Sequence, residues 1–294
     1  MRILHVSDLH ASLAREATSS ASQGLAPGSS YADVLVRRPG RLAALERAVA
    51  WAIAEGPLDA IVFTGDIADG SDAPATYGVV ARLLRHLLAG TDVPVVFTPG
   101  NHDDRAALRA SWGEGVLLPD AARPSPVAGD GAILAVARAG GCSFVSFDTS
   151  DPDMSDGSDD PERLRWLVEI LSDLTGKRAP IFVCTHHHLR PGESDMPCSP
   201  LAEGVLDAAR AAGATVLCGH THHAAQAVEH GVRCLTAPSL SFVADVGSSA
   251  DGRRTLRFRA QEGWALYDFA LDGSLSLSLR VSDAALPLAE IPLN

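Results

Sequence analysis

The sequence is poor in basic residues and contains no long apolar run. Its 24 Lys and Arg are outnumbered by 36 Asp and Glu, which gives a formal net charge of −12. This charge repels a long polyanion, so nucleic acid is disfavoured as a polymeric partner. No apolar run approaches the ~18 residues of a membrane span, and the opening MRILHVSDLH has no apolar targeting core. We therefore expect a soluble, cytoplasmic protein without membrane association.

Cysteine is used sparingly and forms no motif. The number of cysteines is odd, no CxxC pair occurs, and Cys184 and Cys218 stand inside apolar, strand-like runs. This usage predicts reduced, mostly buried thiols. The prediction covers all five positions, Cys142, Cys184, Cys198, Cys218 and Cys234.

The length and composition are those of a globular enzyme, with 294 residues of which 46% are hydrophobic and 20% charged. We predict one domain over 1–294. Within it, the Ala-, Ser- and Gly-rich stretch 11–40 is expected to be a loop insertion, either a lid over a site or a solvated loop. The part from 231 to 294 is rich in strand patterns, which we interpret as antiparallel strands at a sheet edge or as a contact in a homodimer or higher homo-oligomer.

Strand and helix patterns alternate along the first half of the chain. Short β-branched runs predict strands at 1–8, 58–63 and 93–98, and helical periodicity predicts helices at 41–55 and 76–89. This order favours a parallel, doubly wound arrangement, in which sites lie at the carboxyl ends of the strands. Further predicted elements are a helix at 105–112, strands at 132–137 and 143–148, a helix at 161–174, a strand at 180–184, a helix at 205–212 and a strand at 215–218.

Polar side chains follow five of these strands. In extended chain, residues two apart point to one side, so Asp8 with His10, and His220 with His222, can each aim at one ion. Gly100 lets the chain turn after the apolar run VVFTP. The complete set of strand-end residues is Asp8, His10, Asp66, Asp69, Asn101, His102, His186, His220 and His222.

The donor types in this set predict a metal site. Carboxylate, amide and imidazole groups without thiolate suit Mn, Fe, Zn, Co or Ni better than a structural zinc site. The donors outnumber what one octahedral ion with open positions would use. Two divalent or trivalent ions that share a bridging carboxylate fit the count.

The motifs that carry these residues resemble those of the calcineurin-like metallophosphoesterase superfamily over residues 1 to about 223. They are Asp8-x-His10, Gly65-Asp66-x-x-Asp69, Gly100-Asn101-His102-Asp103, His186 and Gly219-His220-x-His222. The continuation Asp104-Arg105 and the His186-His187 pair are most similar to the class III cyclic-nucleotide phosphodiesterase and glycerophosphodiesterase branch. The resemblance implies an α/β fold, a four-layer α/β/β/α sandwich of two mixed sheets flanked by helices.

The resemblance also implies roles for individual residues. The first metal would be held by Asp8, His10, Asp66 and His222, and the second by Asp66 as the bridge with Asn101, His186 and His220. His102 would act near the leaving group, oriented by Asp103 or Asp69. Because His188-Leu189-Arg190 follows the paired histidines where that branch has prolines, His187 is an alternative ligand to His186.

The function expected from the resemblance is hydrolysis of small phosphodiesters, such as cyclic nucleotides or glycerophosphodiesters, by attack of a metal-bound hydroxide. Gly70 and Asp103 stand where protein phosphatases of the superfamily have Arg and Glu, which disfavours a phosphoprotein substrate. The alternatives are a nuclease or phosphomonoesterase of the same fold, or a catalytically idle metal-binding module.

Overall fold

The computed structural model describes residues 1–13, 41–69, 72–118, 123–124, 131–151, 156–177, 179–191, 196–248, 252, 254–270, 272–282 and 287–292. Nearly all of the predicted insertion at 11–40 lies outside these ranges, and with it the prediction of a lid. In chain order the elements are β1 (Arg2–Val6), α1 (Arg41–Glu55), β2 (Ala60–Thr64), α2 (Ala73–Leu87), β3 (Val95–Thr98), α3 (Arg105–Trp112), β4 (Val116–Leu118), β5 (Arg123–Pro124), β6 (Leu134–Ala139), β7 (Cys142–Phe147), α4 (Pro161–Thr175), β8 (Ile181–Cys184), α5 (Ala202–Ala212), β9 (Thr215–Cys218), β10 (Ala225–Glu229), β11 (Val232–Thr236), β12 (Phe242–Ser248), β13 (Arg254–Ala260), β14 (Gly263–Phe269), β15 (Leu275–Val281) and β16 (Pro287–Pro292).

Two large mixed sheets form the centre of the fold. The first has six strands in the order β15-β14-β1-β2-β3-β4, and the second has seven in the order β10-β11-β9-β8-β7-β6-β5. Strands β1, β2 and β3 are parallel neighbours, as are β7, β8 and β9. Strands β12, β13 and β16 form a separate three-stranded sheet.

Alternation along the central strands divides the core into layers. In β2, Ile61 and Phe63 pack with helices α1 and α2, whereas Ala60 and Val62 face the second sheet. In β8, Val183 packs with helices α4 and α5. Because successive strand residues point to opposite faces, each sheet buries one face on helices and the other on its partner sheet. This confirms the predicted four-layer sandwich and replaces the single doubly wound sheet that the strand order alone favoured.

The predicted helices form, with small shifts at their ends. Helix α3 has the predicted bounds, and its N-cap Asp104 accepts a hydrogen bond from the backbone N–H of Ala107. Helix α2 begins at Ala73, earlier than predicted, since a proline occupies its first turn. The antiparallel prediction for the strands after Gly231 is confirmed for β12 to β16, whereas β11 pairs antiparallel with β10 but parallel with β9.

Most of the cysteines are buried, as predicted. All five cysteines are free thiols, and four of them are buried. Within the described ranges, no helix combines the length and apolar character needed to cross a bilayer.

Candidate metal centre

The predicted ligands lie together where β1, β2, β3, β8 and β9 end. Five of them share an unusual backbone conformation. Asp8, His10, Asp66, His220 and His222 have φ between 47° and 70°, a left-handed region that residues other than glycine rarely adopt. Such conformations persist where the surrounding structure demands them, often at functional sites.

Asp8, His10 and His222 form the first group of possible ligands. The Nε2 atoms of His10 and His222 are 3.2 Å apart, and His222 Nε2 is 3.5 Å from Asp8 Oδ1. The other oxygen of Asp8 accepts a hydrogen bond from the backbone N–H of His220 at 3.1 Å. One carboxylate oxygen and two imidazole nitrogens therefore point at a common position.

A second group surrounds His186. Its Nε2 lies 3.0 Å from Asn101 Oδ1, 3.2 Å from His220 Nδ1 and 3.5 Å from Asp66 Oδ2. The same Asp66 oxygen is 3.5 Å from His10 Nε2. The Asp66 carboxylate thus stands between the two groups.

Backbone carbonyls determine which imidazole nitrogen carries a proton. A carbonyl can only accept, so His186 Nδ1–H donates to Thr64 at 2.7 Å and His222 Nδ1–H donates to Phe242 at 2.8 Å. Burial lowers the pKa of both histidines to about 3, so both rings are neutral near pH 7. Their Nε2 lone pairs are therefore aimed at other acceptors, an arrangement that favours a cation between them.

The buried carboxylates also fit bound cations. Burial, with the nearby Asp66 charge, raises the pKa of Asp8 well above its ordinary value, and burial raises that of Asp66. Among the described residues, the Asp8 Oδ1 atom is buried without a hydrogen-bond partner. Positive charge beside these groups would offset the desolvation of the carboxylates. The donor set and the desolvated carboxylates are thus compatible with bound cations.

His102 lies beside the ligands in a different electrostatic environment. Its side chain is 29% exposed, and its Nδ1 is 3.7 Å from Asp69 Oδ1. Burial works to lower its pKa, but the Asp66 and Asp69 carboxylates outweigh burial and raise the pKa to about 9. The ring is therefore protonated near pH 7 and can donate a proton.

Asp103 joins the loops that follow β2 and β3. Its carboxylate accepts hydrogen bonds from the backbone N–H groups of Gly100, Ile67 and Ala68 and from the Tyr77 hydroxyl. Burial raises its pKa to about 7. The geometry therefore favours Asp69 as the carboxylate that orients His102. Asp103 instead holds the two loops together.

His187, the alternative ligand, points its Nδ1 at the Thr149 hydroxyl, 3.0 Å away. The geometry therefore favours His186, whose Nε2 faces Asn101 and Asp66. Sequence reasoning missed the carbonyls of Thr64 and Phe242, which no side-chain motif reveals.

Other supporting contacts were also missed. The Arg41 guanidinium donates to the His10 carbonyl, and the hydroxyls of Ser239 and Ser241 donate to the Asp8 carbonyl at 2.9 and 2.8 Å. These contacts hold the backbone of two ligands from distant parts of the chain. Only their polar, buried character in the folded protein identifies them.

Comparisons with known proteins extend these observations. The family model described as calcineurin-like phosphoesterase matches residues 1–224. A cAMP/cGMP dual specificity phosphodiesterase of Mycobacterium tuberculosis is 30% identical over 200 residues, which are 67% of this chain and 58% of the relative. A probable glycerophosphodiester phosphodiesterase of Arcobacter nitrofigilis is 27% identical over 188 residues, 62% of this chain and 63% of the relative. The chain thus spans less than two thirds of these curated relatives.

A solved structure supports the fold over nearly the whole chain. A dimetal phosphatase from Danio rerio superposes with a TM-score of 0.58 at 16% identity, covering 90% of this chain and 95% of its own. At that identity the likeness concerns the arrangement of strands and helices alone.

Proposed function

The chain belongs to the calcineurin-like phosphoesterase family, and from this premise we propose that it is a dinuclear-metal-dependent phosphodiesterase. The observation that carries the proposal is the position of the Asp66 carboxylate. One of its oxygens is 3.5 Å from both His10 Nε2 and His186 Nε2. A carboxylate shared by two ions needs this placement.

The residues around Asp66 divide into two ligand sets. Asp8, His10 and His222 would hold one ion together with Asp66, and Asn101, His186 and His220 would complete the other. Two transition-metal ions, of Mn, Fe, Zn or Co, would supply Lewis-acid charge and lower the pKa of a water molecule. The carbonyls of Thr64 and Phe242 keep the facing nitrogens of His186 and His222 free of protons for this task.

His102 is the proposed proton donor. Without bound ions, the Asp66 and Asp69 carboxylates raise the pKa of His102 to about 9, and Asp69, which belongs to neither ligand set, would still stabilise the imidazolium once Asp66 holds the ions. His102 is also more exposed than the ligand histidines, so a substrate ester oxygen can reach it. Asp69 would hold the ring, and protonation of the departing alkoxide by His102 would then lower the barrier to ester cleavage.

Small phosphodiesters are the proposed substrates. The names of the two curated relatives refer to cyclic nucleotides and glycerophosphodiesters, both of which are compact diesters. The net charge of −12 disfavours a nucleic acid polymer. A nuclease or a phosphomonoesterase of the same fold is the competing activity.

A substrate panel tests this proposal. Protein loaded with Mn, Fe, Co or Zn would be assayed on bis-p-nitrophenyl phosphate, p-nitrophenyl phosphate, cyclic AMP, glycerophosphoethanolamine and single-stranded DNA. We expect turnover of the small diesters above that of the monoester and the DNA. Preference for DNA would indicate a nuclease, and failure on every substrate would indicate an idle metal-binding module.

Metal content provides an independent test. Asp66→Ala removes the oxygen shared by both ligand sets, so elemental analysis after gel filtration should find both ions depleted. Asp245→Ala is a matched control, because its carboxylate pairs with Arg259 on the three-stranded sheet and is assigned to neither ligand set. Full occupancy in Asp66→Ala would contradict the bridging role.

A further inference from the structure

An apolar pocket of about 230 Å³ opens directly beside the metal centre. Asp66, His102 and His222 line one side of it. Its apolar wall is built from hydrophobic side chains that belong to no family motif: Met196, Phe242, Ala244, Leu256 and Phe258.

Strands β12 and β13 create this wall through their pairing. Phe258 lies directly opposite Ala244 in the antiparallel register, and Phe242 shares a face with Ala244 because strand residues alternate. The rings of Phe242 and Phe258 are 5.6 Å apart. The Phe242 ring also lies 4.3 Å from that of the ligand His222, so apolar surface extends from the metal ligands to β13.

Leu256 supplies accessible apolar surface to this wall. It is partly buried, whereas Phe242 and Phe258 are each only 1% exposed. The two rings thus form the buried part of the wall. Leu256, with Ala244 and Met196, presents the accessible surface that a bound molecule can touch. Contact with this surface would remove one face of a flat apolar group from water, which is favourable.

A second, larger cleft borders the other side of His102 and has a different character. Its volume is about 480 Å³, and polar residues such as Asn101, Arg105, Arg109 and Ser150 line it. His102 and Asn101 line both spaces. The proposed metal centre therefore lies between an apolar pocket and a polar cleft, which suits a diester with two unlike ester groups.

We propose that the pocket against β12 and β13 binds a flat, apolar ester group of the substrate and that Leu256 is a specificity-determining residue. This inference rests on the proposed phosphodiesterase function for its biological meaning. The pocket would therefore favour diesters that carry an aromatic or similarly flat group over those that carry only glycerol or small polar alcohols.

Phosphonates test the pocket through binding alone. Calorimetry on the manganese-loaded protein would compare phenylphosphonate with methylphosphonate, which share the metal-binding group and differ in the apolar one. We expect the wild type to prefer phenylphosphonate. Leu256→Asn, close in shape but polar, should weaken phenylphosphonate binding about fivefold and leave methylphosphonate unchanged.

Two further variants serve as controls. Leu256→Met keeps an apolar side chain and should retain the preference for the phenyl group. Leu279→Asn makes the same replacement at a 43% exposed leucine on β15 and should have no effect. Equal weakening of both phosphonates, or unchanged phenylphosphonate binding in Leu256→Asn, would overturn the inference.

The assay also separates this inference from the proposed function. Wild-type hydrolysis of bis-p-nitrophenyl phosphate is measured in the same preparations. A phenyl preference without hydrolysis would contradict the phosphodiesterase assignment and leave the apolar pocket supported. Hydrolysis without a phenyl preference would contradict the pocket and leave the phosphodiesterase assignment supported.

Discussion

Histidines a few ångströms apart in this site differ in protonation because their surroundings differ. Burial lowers the pKa of His186 and His222 and keeps both rings neutral, and donation of Nδ1–H to a backbone carbonyl leaves each Nε2 lone pair facing the site. His102 faces the Asp66 and Asp69 carboxylates, which raise its pKa to about 9 against the opposing effect of burial. Residue type alone predicts a cluster of histidines, but only the folded environment distinguishes the proposed ligands from the proposed proton donor.

Replacing His102 tests that separation. His102→Ala should retain both metals and lose about 10²- to 10⁴-fold in kcat, because a general acid is removed. The loss should be larger for an alkyl diester than for a p-nitrophenyl diester, whose leaving group needs less protonation. Steady-state kinetics with elemental analysis of the same samples would measure both effects.

His223→Ala is the matched control. This histidine follows His222 in the sequence, but its side chain is 39% exposed and faces Asp245 instead of the ligand groups. It should keep near wild-type activity. If His102→Ala were unimpaired on alkyl diesters, or lost its metals, the role of proton donor would be wrong.

At the scale of elements, the site depends on close approach between loops that follow different strands. A Cβ added at Gly100 would lie 2.1 Å from Asp66 Oδ1, and one at Gly219 would lie 1.9 Å from Ser7 Oγ. The sequence predicted these strand ends because a glycine, a short apolar run and polar residues occur together there. It did not predict that β11 pairs parallel with β9, since pairing between distant segments leaves little trace in local patterns.

Gly100→Ala tests the loop contact. The new methyl group must push the loop after β3 away from Asp66, so we expect weaker metal binding and a loss of stability of about 1–3 kcal/mol. Metal titration and chemical denaturation would measure the two effects. Gly176→Ala is the control, because no atom lies within 4 Å of its added Cβ and its φ of −76° suits alanine. Normal metal affinity in Gly100→Ala would show that the loops tolerate separation.

At the scale of the whole molecule, the predictable part of the site is the part carried by consecutive residues. The motifs end at His222, and the family match covers residues 1–224. Apart from Met196, the apolar wall lies beyond them, where the pairing of β12 with β13 brings Ala244 and Phe258 together. The two-sheet fold was predictable from the resemblance, whereas the alternation of strands and helices along the chain favoured a single doubly wound sheet. Two packed sheets require knowledge of which strands pair, and that depends on contacts far apart in the chain.

The interior between the two sheets contains a titratable group, His5. Its ring hydrogen-bonds to the Thr64 hydroxyl at 2.9 Å and approaches the Tyr267 hydroxyl at 3.3 Å. Burial lowers its pKa to about 3, whereas the ordinary value is about 6.5. As pH falls below that ordinary value, the unfolded chain binds a proton that the folded protein does not. His5 therefore removes stability on acidification, in the window from about 6.5 down to about 3.

Replacing His5 by a neutral amide should flatten this dependence. His5→Gln cannot become charged but can still hydrogen-bond. Between pH about 6.5 and about 5, its unfolding free energy should therefore fall less than that of the wild type, and the difference should be up to about 1.4 kcal/mol per pH unit. Urea denaturation of chelator-treated wild type and variant would give the difference, in which the contributions of the site histidines cancel. His86→Gln, at an exposed position, should match the wild type. Parallel curves for wild type and His5→Gln would mean that the space between the sheets admits a proton to His5 without unfolding.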